Sequence, residues 1–360
     1  MVKSAVLTAA GDVVIRERLL DEEERIVDSG YASTAAYLRD SDASFGSCEV
    51  QFSARGYRTD APIAYRVPPV VADDLARAAF DIMTVATNHT CDFGEEAFVD
   101  TLDALSSAGV DVVGGGLTFR EAIAPVIRTV GGLEVATLAV SCLLPPDYSA
   151  TETRPGIAPL RVDQSVDLHP LMMLIEPGAP LKVRSAVRGE DLARLTAQIG
   201  ELRDKVDLVV VSVHWGYGRG AVLAEYQRPL AHALVDAGAD LLLGNHTHSP
   251  GPIEVYKGVP IVYSLGNHIA QQDWAGASPA QAAIFADIDE WSTVARFVLE
   301  PHAVREIELR ATFCPRSVGL PALLTDDSAI PVFDRIQRLS APFGTKILID
   351  GDRATIRTEG

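Results

Sequence analysis

The sequence predicts an α/β fold, and three observations carry that prediction. Short apolar runs of strand character alternate with longer segments whose apolar residues recur at helical spacing along most of the chain. Several of the apolar runs stop at a polar residue able to bind a metal or move a proton. No internal repeat or low-complexity tract interrupts the alternation.

The elements follow in order. Val2 to Ala9 reads as a buried strand ending at Gly11-Asp12, and Ala43 to Glu49 is a short run closed by Glu49. Asp81 to Ala86 is a strand that ends at Thr87-Asn88-His89. Glu95 to Ala108 carries Phe98, Leu102 and Leu105 at helical spacing, with Gly109 at the cap and a strand from Val110 to Val113. Pro125 to Val130 and Leu133 to Ser141 flank Gly131-Gly132, the signature of a tight hairpin. Glu190 to Val206, with Leu192, Leu195, Ile199 and Leu202 on one face, leads into the strand Asp207 to His214. Glu225 to Ala237 is a helix that leads into Asp240 to His246. Ile253 to Tyr256 and Val259 to Leu265 form a hairpin around Lys257-Gly258, ending at Gly266-Asn267-His268. Ala282 to Phe313 alternates as antiparallel strands do. Pro145 to Gly189 resists assignment: it holds seven prolines and the pair Met172-Met173, which suits a surface excursion or a lid. With no boundary visible, residues 1–360 are expected to form one domain, with an excursion at 145–189 and a β-rich extension at 282–360.

Composition narrows the partners. The chain of 360 residues has 31 Lys+Arg against 49 Asp+Glu, a net charge of −18, and 48% hydrophobic residues, ample for a large core. That charge repels a phosphate backbone and no basic block offsets it, which argues against nucleic acid. Apolar runs such as Leu208 to Val213 are far shorter than the ~20 residues that cross a bilayer. Met1 to Thr8 is too short for a signal peptide, so no membrane association and a cytoplasmic location are expected. Cys48, Cys91, Cys142 and Cys314 form no C-x-x-C pair and read as small buried hydrophobes.

The chemistry gathers at the strand ends, which present Asp12, Glu49, Asn88-His89, His214, His246-Thr247-His248 and His268. Ligand sites collect there because loops are free to present side chains on a rigid base. With eight histidines in the chain, a His-x-His pair arises by chance roughly 0.2 times. Its place after a leucine-rich strand, with His214 set the same way, gives the pair more weight. His169, His232 and His302 sit in no motif and read as structural or exposed.

Thr87-Asn88-His89 with Asp92 and Gly94, His214-Trp215-Gly216, Ala237 through His248, and Tyr263-Ser264-Leu265-Gly266-Asn267 resemble the CapA group over roughly residues 4–270. Its members are named for poly-γ-glutamate capsule synthesis and are similar to calcineurin-like metallophosphatases. The resemblance implies a calcineurin-like four-layer α/β/β/α sandwich with Asp12, Glu49, Asn88, His214, His246 and His248 on the metal-binding positions. Such mixed donors suit Mn, Fe, Zn or, with enough oxygens, Ca. Three departures stand out. Val14 occupies a position where a His is usual, so one ion is expected in preference to two. Ser47-Cys48-Glu49 replaces Asn-Leu-Glu, leaving Glu49 open to reading as a surface carboxylate. His268 replaces a Phe and reads either as an acid/base group or as a neutral packing substitute.

Epimerisation of a peptide Cα leads the functional readings. It needs two proton carriers on opposite faces, and His89 and His268, with carboxylate partners among Asp12, Asp92 and Asp273, are the candidates. The resemblance extends to CapA-like epimerases of lasso-peptide maturation, which implies a ribosomal precursor peptide as substrate. A metal-dependent phosphoesterase or amide hydrolase using His89 with Asp92 or Asp12, a role in poly-γ-glutamate synthesis, and a structural metal scaffold are the alternatives.

Overall fold

Small and branched apolar residues carry the first strand, Ala5–Val14, through the middle of the molecule with nearly every side chain buried. It runs parallel to Ala43–Cys48, and the parallel order continues through Ile82–Thr84 to Asp111–Val113. On its other edge Trp291–Glu300 pairs antiparallel with Ala5 to Ala9, and Asn267–Ala270 pairs in parallel with Asp12 to Val14. Ala303–Phe313, Arg353–Arg357 and Leu348–Asp350 extend this sheet outward from Trp291–Glu300. The second sheet runs in the order Ile253–Tyr256, Val259–Val262, Leu241–Asn245, Leu208–His214, Leu133–Ser141, Val126–Val130. The computed structural model describes residues 3–167, 170–176, 178, 182–218, 220–272, 276–286 and 288–358. Val2, His169, Asp273 and the side chains of Met172 and Met173, all of which figure in the expectations above, lie outside the described residues.

The two sheets face each other. Leu7, Phe45 and Val113 of the first pack against Val135, Val210 and Leu243 of the second. Helices Ser29–Arg39, Val71–Ala78 and Gly94–Ser107 bury Tyr31, Leu75 and Phe98 on the outer face of the first sheet. Gly189–Arg203 and Gln227–Asp236 bury Ile199 and Leu230 on the outer face of the second. This is the four-layer α/β/β/α sandwich. Among the described residues no helix is long and apolar enough to cross a membrane.

Three elements differ from expectation. The first strand does not stop at Gly11-Asp12; its register slips between Ala9 and Asp12 and again after Asp12, and the strand resumes to Val14. Asp12 therefore sits in a bulge, which turns one side chain without ending the pairing. Pro279–Phe285 is a helix, not strand, because Ser278 and Gln281 form a capping box with Pro at the first turn. The segment 145–189 is divided. Tyr148, Ala150, Ile157, Ala158 and Leu160 are buried in the cores, and Gly156–Ile157 pairs with Gly115–Gly116. The hairpin Val162–Asp167 and Lys182–Val187 stands out on the surface, with the helix Pro170–Ile175 between its strands exposing Leu171, Leu174 and Ile175.

Gly11 fixes the bulge. A Cβ there would lie 1.8 Å from the Gly266 carbonyl oxygen, which accepts the Asp12 N–H at 3.0 Å. Gly11→Ala is expected to destabilise the protein by about 1–3 kcal/mol through overpacking, read as a lower urea midpoint, and to weaken metal binding as Asp12 is displaced.

Candidate metal centre

Strand direction assembles the centre. Glu49 follows the strand Ala43–Cys48, Asn88 and His89 follow Ile82–Thr84, His214 closes Leu208–His214, and His246 follows Leu241–Asn245. Parallel pairing turns the carboxyl ends of neighbouring strands the same way, so these loops meet where the two sheets abut.

Glu49 lies at the middle. Its Oε1 is 3.3 Å from His214 Nε2 and its Oε2 is 3.6 Å from His248 Nε2. Asp12 Oδ2 accepts the His246 backbone N–H at 2.9 Å and is 3.5 Å from His248 Nδ1. Asn88 Oδ1 is 2.7 Å from His214 Nε2, and the rings of His214 and His246 are 4.9 Å apart. Donor atoms of Glu49, His246 and His248 fall within 4.8 Å of one another, as do those of Asp12, Glu49 and His214. The structure thus brings together all six residues expected to hold a metal.

The donor set fits a divalent cation. Both oxygens of Glu49, Oδ1 of Asp12 and Nδ1 of His246 are buried without a hydrogen-bond partner among the described residues. A cation answers that need, because unpaired buried carboxylates are otherwise costly. Burial raises the affinity of Glu49 and Asp12 for protons and lowers that of His214, His246 and His248. The imidazoles are therefore neutral and able to ligate. His248 Nδ1–H donates to Asn267 Oδ1 at 2.9 Å, which fixes the ring and leaves Nε2 as the ligating atom. His246 and His248 have φ of 100° and 53°, a backbone region that non-glycine residues seldom occupy and that marks functional turns.

Beside the cluster, His89 Nδ1 is 2.9 Å from Asp92 Oδ2. Asp92 is fully buried, and it also accepts the Tyr148 hydroxyl at 2.8 Å and the Tyr65 N–H at 3.3 Å. His89, Asn88, Glu49, His246 and His248 line one cavity of about 1030 Å³, and Val14 is part of its wall. His232 and His302 lie elsewhere, one stacked on Tyr256 and the other in a hairpin turn.

His268 is not in this group. Asn267 turns toward His248, so the next side chain along the strand turns to the opposite face. The His268 ring packs edge-on against Tyr31 at 5.8 Å and Phe80 at 5.5 Å, and neither ring nitrogen has a partner among the described residues. Burial pushes its pKa down to about 3. It fills the place of a Phe, and the expected role as a second proton carrier at the metal is corrected accordingly. Asp12 belongs to the cluster, and Asp92 is the carboxylate that partners His89. Sequence reasoning assigned no role to Tyr148 or Asn267. Asn267 stood in a quoted motif, whereas Tyr148 sits in a proline-rich stretch that gives no periodic signal.

His214→Ala and His246→Ala should abolish stoichiometric metal binding, and Asn267→Ala should cost about 10–100-fold in metal affinity, measured by competition with a chromophoric chelator. For His268, the folded pKa of about 3 lies below the unfolded value of 6.5, so the unfolded chain takes up a proton that the folded chain does not. The stabilisation is present above pH 6.5 and is lost as pH falls toward 3. His268→Phe should therefore lose less stability than wild type on acidification from pH 7.5 to 5, in thermal melts of the chelated proteins, while binding metal normally.

Comparison with known proteins identifies the family. The family model described as "Bacterial capsule synthesis protein PGA_cap" matches residues 6–272. The chain is 28% identical over 273 residues to the capsule biosynthesis protein CapA of Bacillus anthracis, covering 74% of this chain and 60% of that protein. It is 28% identical over 255 residues to the PGA biosynthesis protein CapA of Bacillus subtilis, covering 70% and 59%. It is 30% identical over 219 residues to a Mycobacterium tuberculosis protein described as "Probable polyglutamine synthesis accessory protein", covering 60% and 52%. The chain spans between about half and three fifths of the length of these relatives. The matched region encloses every residue of the cluster, and the chain belongs to the PGA_cap family of bacterial capsule synthesis proteins.

Proposed function

We propose that the chain is a metal-dependent hydrolase of amide bonds in a peptide chain, with His89 as its proton-transfer group and one divalent cation at its centre. The hydrogen-bonded series Tyr148–Asp92–His89, ending beside the carboxylate and imidazole cluster, is the observation that supports this reading most. The named relatives are attached to PGA and polyglutamine synthesis, and those polymers too are joined by amide bonds.

A divalent cation held by Asp12, Glu49, Asn88, His214, His246 and His248 supplies electrophilic polarisation of an amide carbonyl. The proton work falls to His89. Its Nδ1–H donates to Asp92, leaving Nε2 to accept a proton from the attacking water and deliver it to the departing amide nitrogen. Asp92 fixes the tautomer and the orientation of the ring. The Tyr148 hydroxyl, kept protonated by burial, holds Asp92 in turn.

Hydrolysis is favoured over the alternatives on two grounds. Inversion of a Cα centre needs a second carrier on the opposite face, and His268 does not supply it. Phosphoryl transfer of the calcineurin-like kind uses two cations, and Val14 places an apolar wall where the resemblance expects a donor.

With Mn²⁺ or Zn²⁺ the full chain should cleave capped peptides followed by mass spectrometry in deuterated water, and a chelator should stop it. His89→Asn should lower kcat by roughly 10²–10⁴-fold with the metal content unchanged. Tyr148→Phe should lower it by about 10–100-fold. Deuterium uptake at Cα without cleavage would assign Cα proton chemistry instead, and wild-type turnover by His89→Asn would remove His89 from the mechanism.

A further inference from the structure

We propose that the cavity selects a peptide segment presenting an aromatic or branched apolar side chain and discriminates against a chain bearing a carboxylate at every residue. The proposal rests on the amide-hydrolase reading only for which bond lies over the metal; the side-chain preference is a property of the walls. It also separates this chain's substrate from poly-γ-glutamate, the acidic polymer for whose synthesis the CapA group is named.

The walls argue it by composition. Tyr57, Ile63, Pro145, Ile284, Phe285 and Ile288 all line the cavity. Phe285 is 4% exposed and Ile288 7%, so they form a fixed apolar floor, while Ile284 at 51% leaves an apolar edge for a ligand to cover. A guest side chain laid against these residues loses contact with water, which favours a phenyl or isobutyl group and penalises a carboxylate.

Charge argues the same way. Asp60 and Glu95 line the cavity, as does Asp147, which is paired with Arg154 at 2.8 Å. Arg58 is the one Lys or Arg side chain lining it among the described residues, and its guanidinium already donates to the carbonyls of Ala61 and Pro62 at 3.2 and 3.3 Å. Asp12 and Glu49 match the charge of a divalent cation, so a cation there leaves no positive surplus for a polyanion. Added to a net charge of −18, this field opposes a run of carboxylates.

One polar group points to a peptide in particular. Gln272 lines the cavity, is 7% exposed, and its Oε1 is buried without a hydrogen-bond partner among the described residues. A backbone N–H of an extended segment supplies the missing donor, fixing the chain while the apolar wall reads its side chain.

The test is calorimetric titration of the full chain loaded with Mn²⁺, using acetyl-Ala-Phe-Ala-amide, its Leu and Glu counterparts, and a decamer of γ-linked glutamate. The Phe and Leu probes should bind at least about tenfold more tightly than the Glu probe and the decamer. Ile284→Asp, at a half-exposed position, should reduce Phe-probe affinity about tenfold with the thermal melt unchanged, and Gln272→Ala should weaken all peptide probes alike. Equal affinities, tighter binding of the decamer, or no binding of the Phe probe overturns the proposal. If the preference holds but His89→Asn keeps wild-type turnover, the hydrolase reading fails alone. If turnover depends on His89 but the Glu probe binds as well as the Phe probe, the selectivity fails alone.

Discussion

Asp12 and Glu49 are carboxylates shut away from water at the junction of two sheets, with oxygens that accept little or nothing from the surrounding protein. Burying one such group is costly and burying two side by side is more so, since each disfavours ionisation of the other. Three imidazoles, themselves held neutral by burial, close the cage without neutralising it. A divalent cation would complete this arrangement, and its binding would then couple metal affinity to folding stability through the same two residues.

The surrounding backbone is shaped to this demand. The bulge at Asp12, the close approach of Gly11 to Gly266, and the left-handed residues His246 and His248 are each unfavourable locally. Each aims a donor at the same few ångströms of space, and packed sheets on either side hold the arrangement in place. Strain of this kind persists where the neighbouring structure over-determines it.

Most of the layering was legible in the sequence because long apolar runs end abruptly in polar residues and the intervening helices keep a clear period. The same strand ends displayed the six cluster residues together with His89 and His268, and it was the resemblance to the CapA group that singled out the six as metal positions. Asp12 was misplaced only in detail, since a bulge leaves no mark in an apolar alternation that continues to Val14. His268 was misread because its neighbour in the motif was given no direction. Once Asn267 is known to face His248, the alternation of a strand turns His268 away. Tyr148 reaches Asp92 from a stretch whose order comes from long-range contacts, not from periodicity. The helix Pro279–Phe285 did carry a local signal in Ser278 and Gln281, which the alternating tail beyond it masked.

The surface hairpin of Val162–Asp167 and Lys182–Val187 stands on two feet that are clamped together. The Arg188 N–H donates to the Arg161 carbonyl at 2.8 Å, and Asp191 grips the Arg161 guanidinium and backbone at 2.7 to 2.9 Å. Chain inserted beyond these feet has its ends already joined, so its length and composition are insulated from the buried half of the segment that carries Tyr148. The hairpin is in that sense a mounting post: a reporter or an affinity module could be carried there, and natural insertions could accumulate there, without a change in the geometry of the carboxylate and imidazole cluster.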